Sequence, residues 1–591
     1  MRIAVPLFFG VALSSVLPNI QEALILEEDQ LLNSKRPLRF GDINFLHTTD
    51  THGWLSGHKV QKTYSGDWGD FVSFSEHLRN LTAENGQDLI LVDSGDRHDG
   101  NGLSDATSPN GLISTPIFKR QHYDIVSIGN HELYLWENTQ QELDVLVPSL
   151  TDKYVCSNVE FLRDGKYYPI GLKYRYFTTP VQKKRILAFS FLFDFARAND
   201  KTRVTPIEKV IEEDWFKTVL SHFPLREVDV ILVVGHLPVD KNVGEVRILH
   251  QVLRKQYPDL PIQYFGGHSH IRDFQVYDEK LTALQSGRFC ETVGFLGLNT
   301  SSDSLDVKQR FFRSYIDFNV DSFQFHTGIS STEEFNTKNG LSIKDELISA
   351  RRNLKLDVVI GKVTKSNYYM DYVPLSHPQS IYNMLTSKVL PTLEPEQNKT
   401  ELQTERMIII NTGSIRYDLY KGPYTVDSHF IVSPFQNDWV RLTVPKDVAK
   451  KIVPILNQRS YIVSRLLPPH HRYLEEEDYG FDSSEFGTED QSENFSKKLS
   501  KGYVTEDDFG KEGDDTPHKA VKNFKITNVV ASEQLDPDSK DSQVDVIFYS
   551  FLTQNVKGAL KRLGYPSDEP ELYSRKYLGM LLDDFAATNE L

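Results

Sequence analysis

The sequence predicts an α/β fold in which strands and helices alternate and stack in layers. From residue 43 to about residue 300, short apolar runs recur, and each run ends in a polar turn that contains glycine. Between the first two runs, apolar residues fall at helical spacing, which places a helix between two strands. In sheets built from such units, ligands gather where the strands end.

Five apolar runs predict buried strands, at 43–46, 89–92, 125–128, 230–234 and 262–265. Between the first two, Phe71, Phe74, Leu78 and Leu81 lie three or four residues apart, which is the spacing of one face of a helix. Asp70 comes directly before these residues, and we predict that it caps the helix.

The length of 591 residues predicts two domains, because single domains usually contain roughly 100 to 200 residues. A charged, helix-favouring sequence at 331–356 predicts a connector, and the run DVVIGKVT after it opens a second α/β region. Within that region, residues 474–515 are acidic, rich in Ser, Gly and Asp and without sustained periodicity, which predicts a disordered insertion. An acidic docking segment is the alternative interpretation.

The charge balance limits the partners of the chain. The net charge of -16 comes from 82 acidic and 66 basic residues, without a clustered Lys/Arg stripe, so we expect no nucleic acid partner. Cys156 and Cys290 are the only cysteines, which excludes a disulfide scaffold and allows at most one bridge.

The first residues predict entry into the secretory pathway. Residues 1–20 have the pattern of a signal peptide, with one arginine before an apolar stretch shorter than the about 20 residues of a membrane span. An uncleaved anchor or a buried N-terminal helix is the alternative. No later segment is apolar and long enough to span a membrane, so we expect an extracellular protein or one in a vacuolar lumen. Glycosylation tripeptides, which fit this route, begin at Asn80, Asn299, Asn398 and Asn494.

Side chains that can bind metal follow every predicted strand. Taken singly, each has an ordinary explanation as a turn cap or a structural histidine. Strand ends meet at one edge of a sheet, however, and so many carboxylates and imidazoles together would be unstable without cations to share. The residues, in chain order, are Asp50, His52, Asp93, Asp96, Asp99, Asn130, His131, His236, His268 and His270.

The mixture of carboxylates and imidazoles predicts the kind of metal. It suits Zn, Mn or Fe better than the all-oxygen sites of Ca or the hydrated sites of Mg. There are too many candidate ligands for one tetrahedral ion but enough for two ions bridged by an aspartate. Two such divalent metal ions are an established device for hydrolysing phosphate esters, which predicts a small phosphorylated substrate.

The order of the motifs D-x-H, GD, GNHE, GH and GHxH resembles that of the calcineurin-like metallophosphoesterases. The stretch NTGSIRYDLYKGPYTVDSHFIVSPFQND (411–438) resembles the C-terminal domain of their 5'-nucleotidase branch. The resemblance implies a four-layer αββα sandwich as the catalytic domain, at 38–325, and a connector with a hinge at 326–356. A 5'-nucleotidase-like α/β substrate domain would follow at 357–591.

The resemblance also implies residue roles. Asp96 would bridge the two metals, and His131 would stabilise charge on the phosphate or leaving oxygen. In the second domain, Asn411 and Arg416 would contact the substrate, and Phe435 and Phe551 would sandwich a nucleobase; plain core packing is the alternative for each phenylalanine. One metal would be held by Asp50, His52 and His270, and the other by Asn130, His236 and His268.

Some residues depart from the nucleotidase pattern. Tyr134 stands where an acid would pair with the catalytic histidine, so we expect His131 to use Asp99 instead or to be less readily protonated. Lys557 stands where an acid would contact ribose, and one phosphate-binding arginine is not evident in 367–385. These departures predict a distinct branch with a remodelled specificity half.

The leading hypothesis is a two-metal phosphoesterase that hydrolyses phosphomonoesters, with nucleotides or related small phosphates as substrates. A metal-dependent phosphodiesterase or pyrophosphatase is one alternative, because a two-metal site does not choose between these esters. A lumenal binding protein without turnover is the other.

Overall fold

The computed structural model describes residues 35–242, 244–302, 304–396, 405–458, 505–518, 523–539, 542–566 and 568–591. The predicted signal peptide at 1–20 lies outside the described residues. Within these ranges, no helix combines the length and the apolar character needed to cross a membrane. Cys156 and Cys290 are both buried as free thiols.

Strands and helices alternate along the described chain. The strands are β1 (Ile43–Thr48), β2 (Asp88–Asp93), β3 (Ile125–Val126), β4 (Val159–Arg163), β5 (Lys166–Pro169), β6 (Arg175–Thr178), β7 (Arg185–Phe189), β8 (Thr202–Val204), β9 (Val230–Val234), β10 (Ile262–Gly266), β11 (Arg272–Asp278), β12 (Leu281–Ser286), β13 (Thr292–Leu298), β14 (Phe311–Asp317), β15 (Val359–Val363), β16 (Arg406–Asn411), β17 (Gly422–Thr425), β18 (Trp439–Pro445), β19 (Val529–Gln534), β20 (Gln543–Tyr549) and β21 (Glu571–Ser574). The α-helices are α1 (Trp68–Glu84), α2 (Gly102–Asp105), α3 (Ser114–Phe118), α4 (Trp136–Gln141), α5 (Val147–Leu150), α6 (Ile207–Val210), α7 (Asp214–His222), α8 (Gly244–Gln256), α9 (Val320–Thr327), α10 (Thr332–Phe335), α11 (Lys338–Asn353), α12 (Ile381–Met384), α13 (Val426–Val432), α14 (Lys446–Asn457), α15 (Thr553–Arg562) and α16 (Leu578–Thr588).

Two mixed sheets form the centre of the catalytic domain. The first has the order β14-β13-β1-β2-β3, and the second has the order β11-β12-β10-β9-β7-β6. Strands β1, β2 and β3 run parallel to one another, as do β7, β9, β10 and β12. The parallel strands therefore bring their carboxyl ends together at one edge of each sheet.

Successive side chains along these strands point to opposite faces of each sheet and therefore pack in different layers. Phe45 and Ile90 face the other sheet and pack in a core with Val230 and Leu232. Their neighbours in sequence point the opposite way, where Leu91 packs under α1. On the outer face of the second sheet, the core includes side chains of α7 and α8. The arrangement is helix, sheet, sheet, helix, which confirms the predicted four-layer α/β sandwich.

The predicted helix behind the first strand is present as α1, but its cap is not Asp70. Asp67 is the N-cap and accepts a hydrogen bond from Asp70 N at 2.9 Å. Asp70 occupies the third helical position, and its side chain accepts from Asp67 N at 3.0 Å, which completes a capping box. The sequence prediction placed the cap at Asp70 and not at Asp67 because both positions carry aspartate, and either residue can cap a helix.

The second domain has its own sheet, in the order β19-β16-β20-β18-β21, and its own apolar core. The predicted connector consists largely of α10 and α11. Ile343 and Leu347 of α11 pack in the same core as Phe71 and Phe74 of α1, so this part of the connector belongs structurally to the catalytic domain.

The prediction that residues 474–515 are disordered is wrong for residues 505–515, while 474–504 lie outside the described residues. Residues 505–518, which we call the returning segment, lie against the catalytic domain. Asp507 binds Arg313 with an N–O distance of 2.6 Å, and Asp514 binds Arg272 at 3.0 Å. The acidic composition suggested a solvated segment, but its charges find basic partners roughly two hundred residues away in sequence.

Candidate metal centre and substrate cavity

The turns that follow the parallel strands bring the predicted metal ligands together. Many of these residues adopt the left-handed backbone region, with φ between 45° and 75°. This conformation costs a residue with a side chain about 1 kcal/mol or more, so its concentration here indicates a geometry fixed by the surrounding fold. The left-handed site residues are Asp50, His52, Asp96, Asp99, His268 and His270.

One group of possible ligands consists of Asp50, His52 and His270, whose ligand atoms lie within 4.8 Å of one another. His270 Nε2 is 3.2 Å from Asp50 Oδ1 and 3.1 Å from His52 Nε2. His52 Nδ1 donates to the His98 carbonyl oxygen, which leaves Nε2 as the atom with a lone pair towards its neighbours. Two imidazole nitrogens that face each other in this way are suited to share a cation.

A second group consists of Asp96, His236 and His268, again within 4.8 Å. Asp96 Oδ2 is 2.9 Å from His236 Nε2 and 3.8 Å from His52 Nε2 of the first group. His236 Nδ1 donates to the Ser94 carbonyl oxygen at 2.9 Å, which directs Nε2 towards Asp96. Asp96 therefore lies between the two groups.

Burial and neighbouring charges set the protonation of these groups. Burial lowers the pKa of His268 to about 4, so that imidazole is neutral at physiological pH. Burial also lowers the pKa of His236, but the Asp96 and Asp50 carboxylates raise it to a net value of about 9. Although burial raises the pKa of Asp96, the His236 and His131 imidazoles hold it well below its usual range. A proton on His236 and a metal cation would compete for the same carboxylates.

Asn130 supplies an independent test of whether these residues fit a metal. Its Oδ1 atom is buried and accepts no hydrogen bond from the described residues. Its Nδ2 atom donates to Tyr134 Oη at 3.2 Å, which fixes the orientation of the amide. A buried acceptor without a donor is costly unless it binds something, and a divalent cation would satisfy it. The residues present therefore fit a metal site.

Glycine permits the close approach of two of these turns. A Cβ atom on Gly129 would lie 2.0 Å from Asp96 Oδ1, so any larger residue would displace this carboxylate. Gly95, with φ of +98°, occupies a conformation that residues with a side chain rarely adopt.

His131 and Asp99, the two predicted catalytic residues, are in contact. His131 Nδ1 is 2.6 Å from Asp99 Oδ2, and His131 Nε2 is 3.9 Å from Asp96 Oδ2. Burial raises the pKa of Asp99, but the hydrogen bond with His131 lowers it to a net value below normal. Asp105 holds the Asp99 turn, because its carboxylate accepts from Asp99 N at 3.0 Å and from Gly100 N at 2.7 Å.

The metal groups face a cavity of about 730 Å³ between the two domains. The predicted substrate residues of the second domain, Asn411, Arg416, Phe435 and Phe551, all line this cavity. Arg416 Nε donates to the Asp99 carbonyl oxygen at 3.1 Å, and its Nη2 is 3.0 Å from His52 Nε2. The Phe435 ring centroid is 6.3 Å from that of His131.

Two arginines of the catalytic domain line the same cavity and were missed by the sequence prediction. Arg288 follows β12 in the turn QSGRFCE, and Arg197 follows β7. Both strands run parallel to β9 or β10. The rule that ligands gather at strand ends would have found them if these two apolar runs had been included.

Known proteins share this sequence and fold along nearly the full chain. The model of the calcineurin-like phosphoesterase family matches residues 43–272, and the model of the NAD nucleotidase C-terminal domain matches residues 367–557. The crystal structure of a 5'-nucleotidase from Candida albicans is 53% identical, covers 94% of this chain and 100% of that chain, and has a TM-score of 0.84.

Two fungal proteins are also similar in sequence. An uncharacterized protein of Saccharomyces cerevisiae is 44% identical, over 89% of this chain and 88% of that protein. A protein of Arthroderma benhamiae named "Secreted protein" is 36% identical, over 93% of this chain and 90% of that protein.

The fold and the site together define a calcineurin-like metallophosphoesterase, a hydrolase of phosphoric ester bonds. Within this class, the chain belongs to the 5'-nucleotidase family. The family implies divalent metals, and the His/Asp groups described above are able to bind them.

Proposed function

We propose that this protein hydrolyses phosphomonoesters at a two-metal centre and that its substrates are nucleotides or related small phosphates. The observation that carries the proposal is the composition of the cavity. Members of both metal-binding groups, Asp96, His268 and His270, line the cavity together with Arg416, Asn411 and the Phe435 and Phe551 rings. Such a cavity offers contacts for a phosphoryl group and for a planar ring at the same time.

The proposed metal ligands are those that the family resemblance implies, and the proximity of the side chains in the two groups supports them. Asp50, His52 and His270 would hold one ion, and Asn130, His236 and His268 would hold the other, with Asp96 shared between them. Two divalent ions of Zn, Mn or Fe, when bound, supply an activated hydroxide and neutralise charge on the phosphate.

The protein's own groups position the ester and manage charge. His131 faces the centre and, with Asp99 holding its ring, would donate a proton or hydrogen bond to the leaving oxygen. Arg416 would pair with phosphate oxygens, because its guanidinium lies beside His52 and its planar fork suits a phosphoryl group. Phe435 and Phe551 would contact the remainder of the substrate.

Hydrolysis of an aryl phosphomonoester with added Mn²⁺ or Zn²⁺ tests the catalytic assignment. We expect Asp96→Asn and His131→Ala to reduce kcat by roughly 10²- to 10⁴-fold, because one loses the shared carboxylate and the other the proton donor. Glu333→Gln, on the exposed surface, serves as the control. Equal activity in all of these proteins would refute the assignment.

A substrate panel tests the substrate class. It should include nucleoside mono-, di- and triphosphates, cyclic nucleotides, sugar phosphates and phosphodiesters. We expect nucleotides to be preferred and Phe435→Ala to raise their KM more than that of a sugar phosphate, because only a base can stack on the ring. Phe325→Ala, at a half-exposed site on α9, is the matched control. No nucleotide preference, together with no effect of Phe435→Ala, would exclude base stacking.

We also propose that the protein acts in the secretory pathway, outside the cell or in a vacuolar lumen. The signal-peptide pattern at 1–20 and the similarity to a protein named as secreted support this location. N-terminal sequencing of the native protein should find the chain beginning after the apolar stretch. Recovery of the intact N-terminus in the cytosol would contradict the proposal.

A further inference from the structure

Arg288 is a cationic side chain of the cavity that the proposed function does not use. It lies in the turn after β12 and lines the cavity together with His270 and Arg416. Its Nε atom is buried and donates no hydrogen bond to any described residue. A buried N–H group of a charged side chain without an acceptor is costly, which points to an acceptor that binds from the cavity.

The nearest acidic partner does not satisfy this group. Glu291 Oε2 is 3.8 Å from Arg288 Nε, which is too far for a hydrogen bond. The other oxygen, Glu291 Oε1, already accepts from Tyr417 Oη at 2.8 Å. Asp371 of the second domain also lines the cavity and interacts electrostatically with Arg288. Burial lowers the pKa of Arg288, but Glu291 and the other neighbours raise it to a net value above normal, so the guanidinium stays charged.

The position of Arg288 is fixed relative to the metal centre. Its guanidinium carbon is 4.6 Å from the Phe289 ring centroid, and that of Arg416 is 5.6 Å from the same ring. Phe289 N donates to the Asp50 carbonyl oxygen at 2.7 Å, which ties the Arg288 turn to a predicted metal ligand. Two guanidinium groups, one from each domain, therefore lie near one aromatic ring at the wall of the metal centre.

We propose that Arg288 is a second phosphate-binding arginine, supplied by the catalytic domain, and that with Arg416 it selects a terminal phosphoryl group with two negative charges. This inference rests on the proposed function and deepens it, because it favours phosphomonoesters over diesters. A monoester dianion offers three unesterified oxygens to the two guanidinium groups. A diester has one negative charge and only two such oxygens.

Binding of inorganic phosphate to the metal-loaded protein, measured by calorimetry, tests this role without catalysis. We expect Arg288→Gln to weaken phosphate binding about 10- to 100-fold, because hydrogen bonds to a charged group are lost. Arg288→Lys, which keeps the charge but not the fork, should recover part of the affinity. Arg203→Gln is the matched control, because Arg203 also lies over an aromatic ring, Tyr167 at 4.1 Å, but does not line the cavity.

Steady-state kinetics test the selectivity. Arg288→Gln should raise KM for an aryl phosphomonoester about tenfold or more and change the KM of the corresponding diester far less. Metal content and Tm of Arg288→Gln should stay at the wild-type values. If Arg288 only supported the fold, its replacement would lower one or both of them. Unchanged phosphate affinity in Arg288→Gln, or full loss in Arg288→Lys together with a lowered Tm, would overturn the proposal. An equal effect on the two esters would overturn the selectivity.

The two proposals fail in different ways. If the wild-type protein hydrolyses no phosphoester but binds phosphate through Arg288, the proposed function is wrong and the anion site stands. If nucleotides are hydrolysed and phosphate binding does not depend on Arg288, the proposed function stands and the anion site is wrong.

Discussion

Glu132 is a fully buried carboxylate that holds two turns of the metal centre together. It accepts backbone hydrogen bonds from Asp96 N at 3.0 Å, Arg97 N at 2.6 Å and Gly129 N at 2.8 Å. In return, Asp96 Oδ1 accepts from His131 N at 2.9 Å. The turns after β2 and β3 are therefore linked by reciprocal bonds between side chain and backbone, and these bonds fix the position of Asp96.

Replacing the Glu132 carboxylate should weaken the metal centre, although Glu132 does not line the substrate cavity. We expect Glu132→Gln to lower the free energy of unfolding by about 2–3 kcal/mol, because its amide group would face backbone N–H donors in a buried site. Metal affinity should fall about tenfold or more as Asp96 loses its support. Denaturant unfolding and calorimetric Mn²⁺ titration measure the two effects, with Glu333→Gln as the exposed control. Wild-type values for both would contradict this role.

Tyr134, at the position where nucleotidases carry an acid, orients Asn130. Because its hydroxyl accepts from Asn130 Nδ2, the amide oxygen is free to face the metal groups. Asp99, in the turn after β2, contacts His131 Nδ1 at 2.6 Å, where the sequence predicted that it would replace the missing acid. Tyr134 thus contacts Asn130, and Asp99 contacts His131.

Removal of the hydroxyl should therefore act on the metal more than on the histidine. We expect Tyr134→Phe to weaken metal binding about tenfold, because Asn130 loses the partner that fixes its amide. Calorimetric titration with Mn²⁺ or Zn²⁺ measures this, and Tyr168→Phe, at a site 44% exposed on β5, is the control. A normal metal affinity in Tyr134→Phe would show that the amide needs no such support.

At the scale of elements, the returning segment is attached to β14 by backbone hydrogen bonds and by a contact between His518 and Asp317. Tyr315 N donates to the Gly513 carbonyl oxygen at 2.8 Å, and Asp515 N donates to the Tyr315 carbonyl oxygen at 2.9 Å, so the segment pairs with the edge strand β14. His518 Nε2 is 2.6 Å from Asp317 Oδ2. An edge strand covered in this way is protected from pairing with another chain.

His518 makes this attachment depend on pH. Burial lowers its pKa, but Asp317 raises it to a net value above 6.5, with Arg272 opposing and Asp514 assisting. Because the folded pKa is the higher one, the pair stabilises the attachment fully below the ordinary histidine pKa and loses this contribution as pH rises through the folded value.

Hydrogen exchange of the returning segment measures this effect. After correction for intrinsic rates, amide protection at 505–518 should fall in the wild-type protein as the pH rises above the ordinary histidine pKa of 6.5 and through the raised folded value. The fall should be absent in His518→Gln. Amides of α16 in the second domain provide the internal control. Equal pH dependence in both proteins would exclude His518 as the titrating group.

At the scale of the whole molecule, buried polar contacts join the two domains beside the cavity. Arg351 of α11 binds Asp427 of α13 with an N–O distance of 2.7 Å. The other oxygen of Asp427 accepts from Gly102 N at 2.9 Å, directly after the turn that carries Asp99. One carboxylate of the second domain therefore binds both α11 and the residue that follows the Asp99 turn.

The separate cores of the two domains predict how metal removal affects stability. Ligands that bind only the folded state stabilise it by about 2.7 kcal/mol at a concentration 100 times their Kd. All predicted metal ligands belong to the catalytic domain, whereas the core of the second domain is distinct. A chelator should therefore lower the Tm of the catalytic-domain transition in calorimetry and leave the second transition nearly unchanged. Asp96→Asn should be insensitive to the chelator; an equal shift in this variant would contradict metal binding at Asp96.

Much of the catalytic half could be predicted from sequence because its strands are short apolar runs. The runs at 230–234 and 262–265 correspond to β9 and β10, but the run at 125–128 forms strand only over Ile125–Val126, since Ser127 and Ile128 already enter the turn. The returning segment was misjudged because composition carries no information about partners distant in sequence.

The sequence alone determined the α/β class and the order of the metal-binding motifs, and it offered Asp99 as the acid for His131. Periodicity and turn chemistry depend on neighbours within a few residues, so they can be recognised without a fold. Only the tertiary structure decided that Tyr134 contacts Asn130 and that Arg288 and Arg416 line one cavity near the same aromatic ring, Phe289. Such contacts join residues that are distant in the chain or on different faces of a turn, and packing alone brings them together.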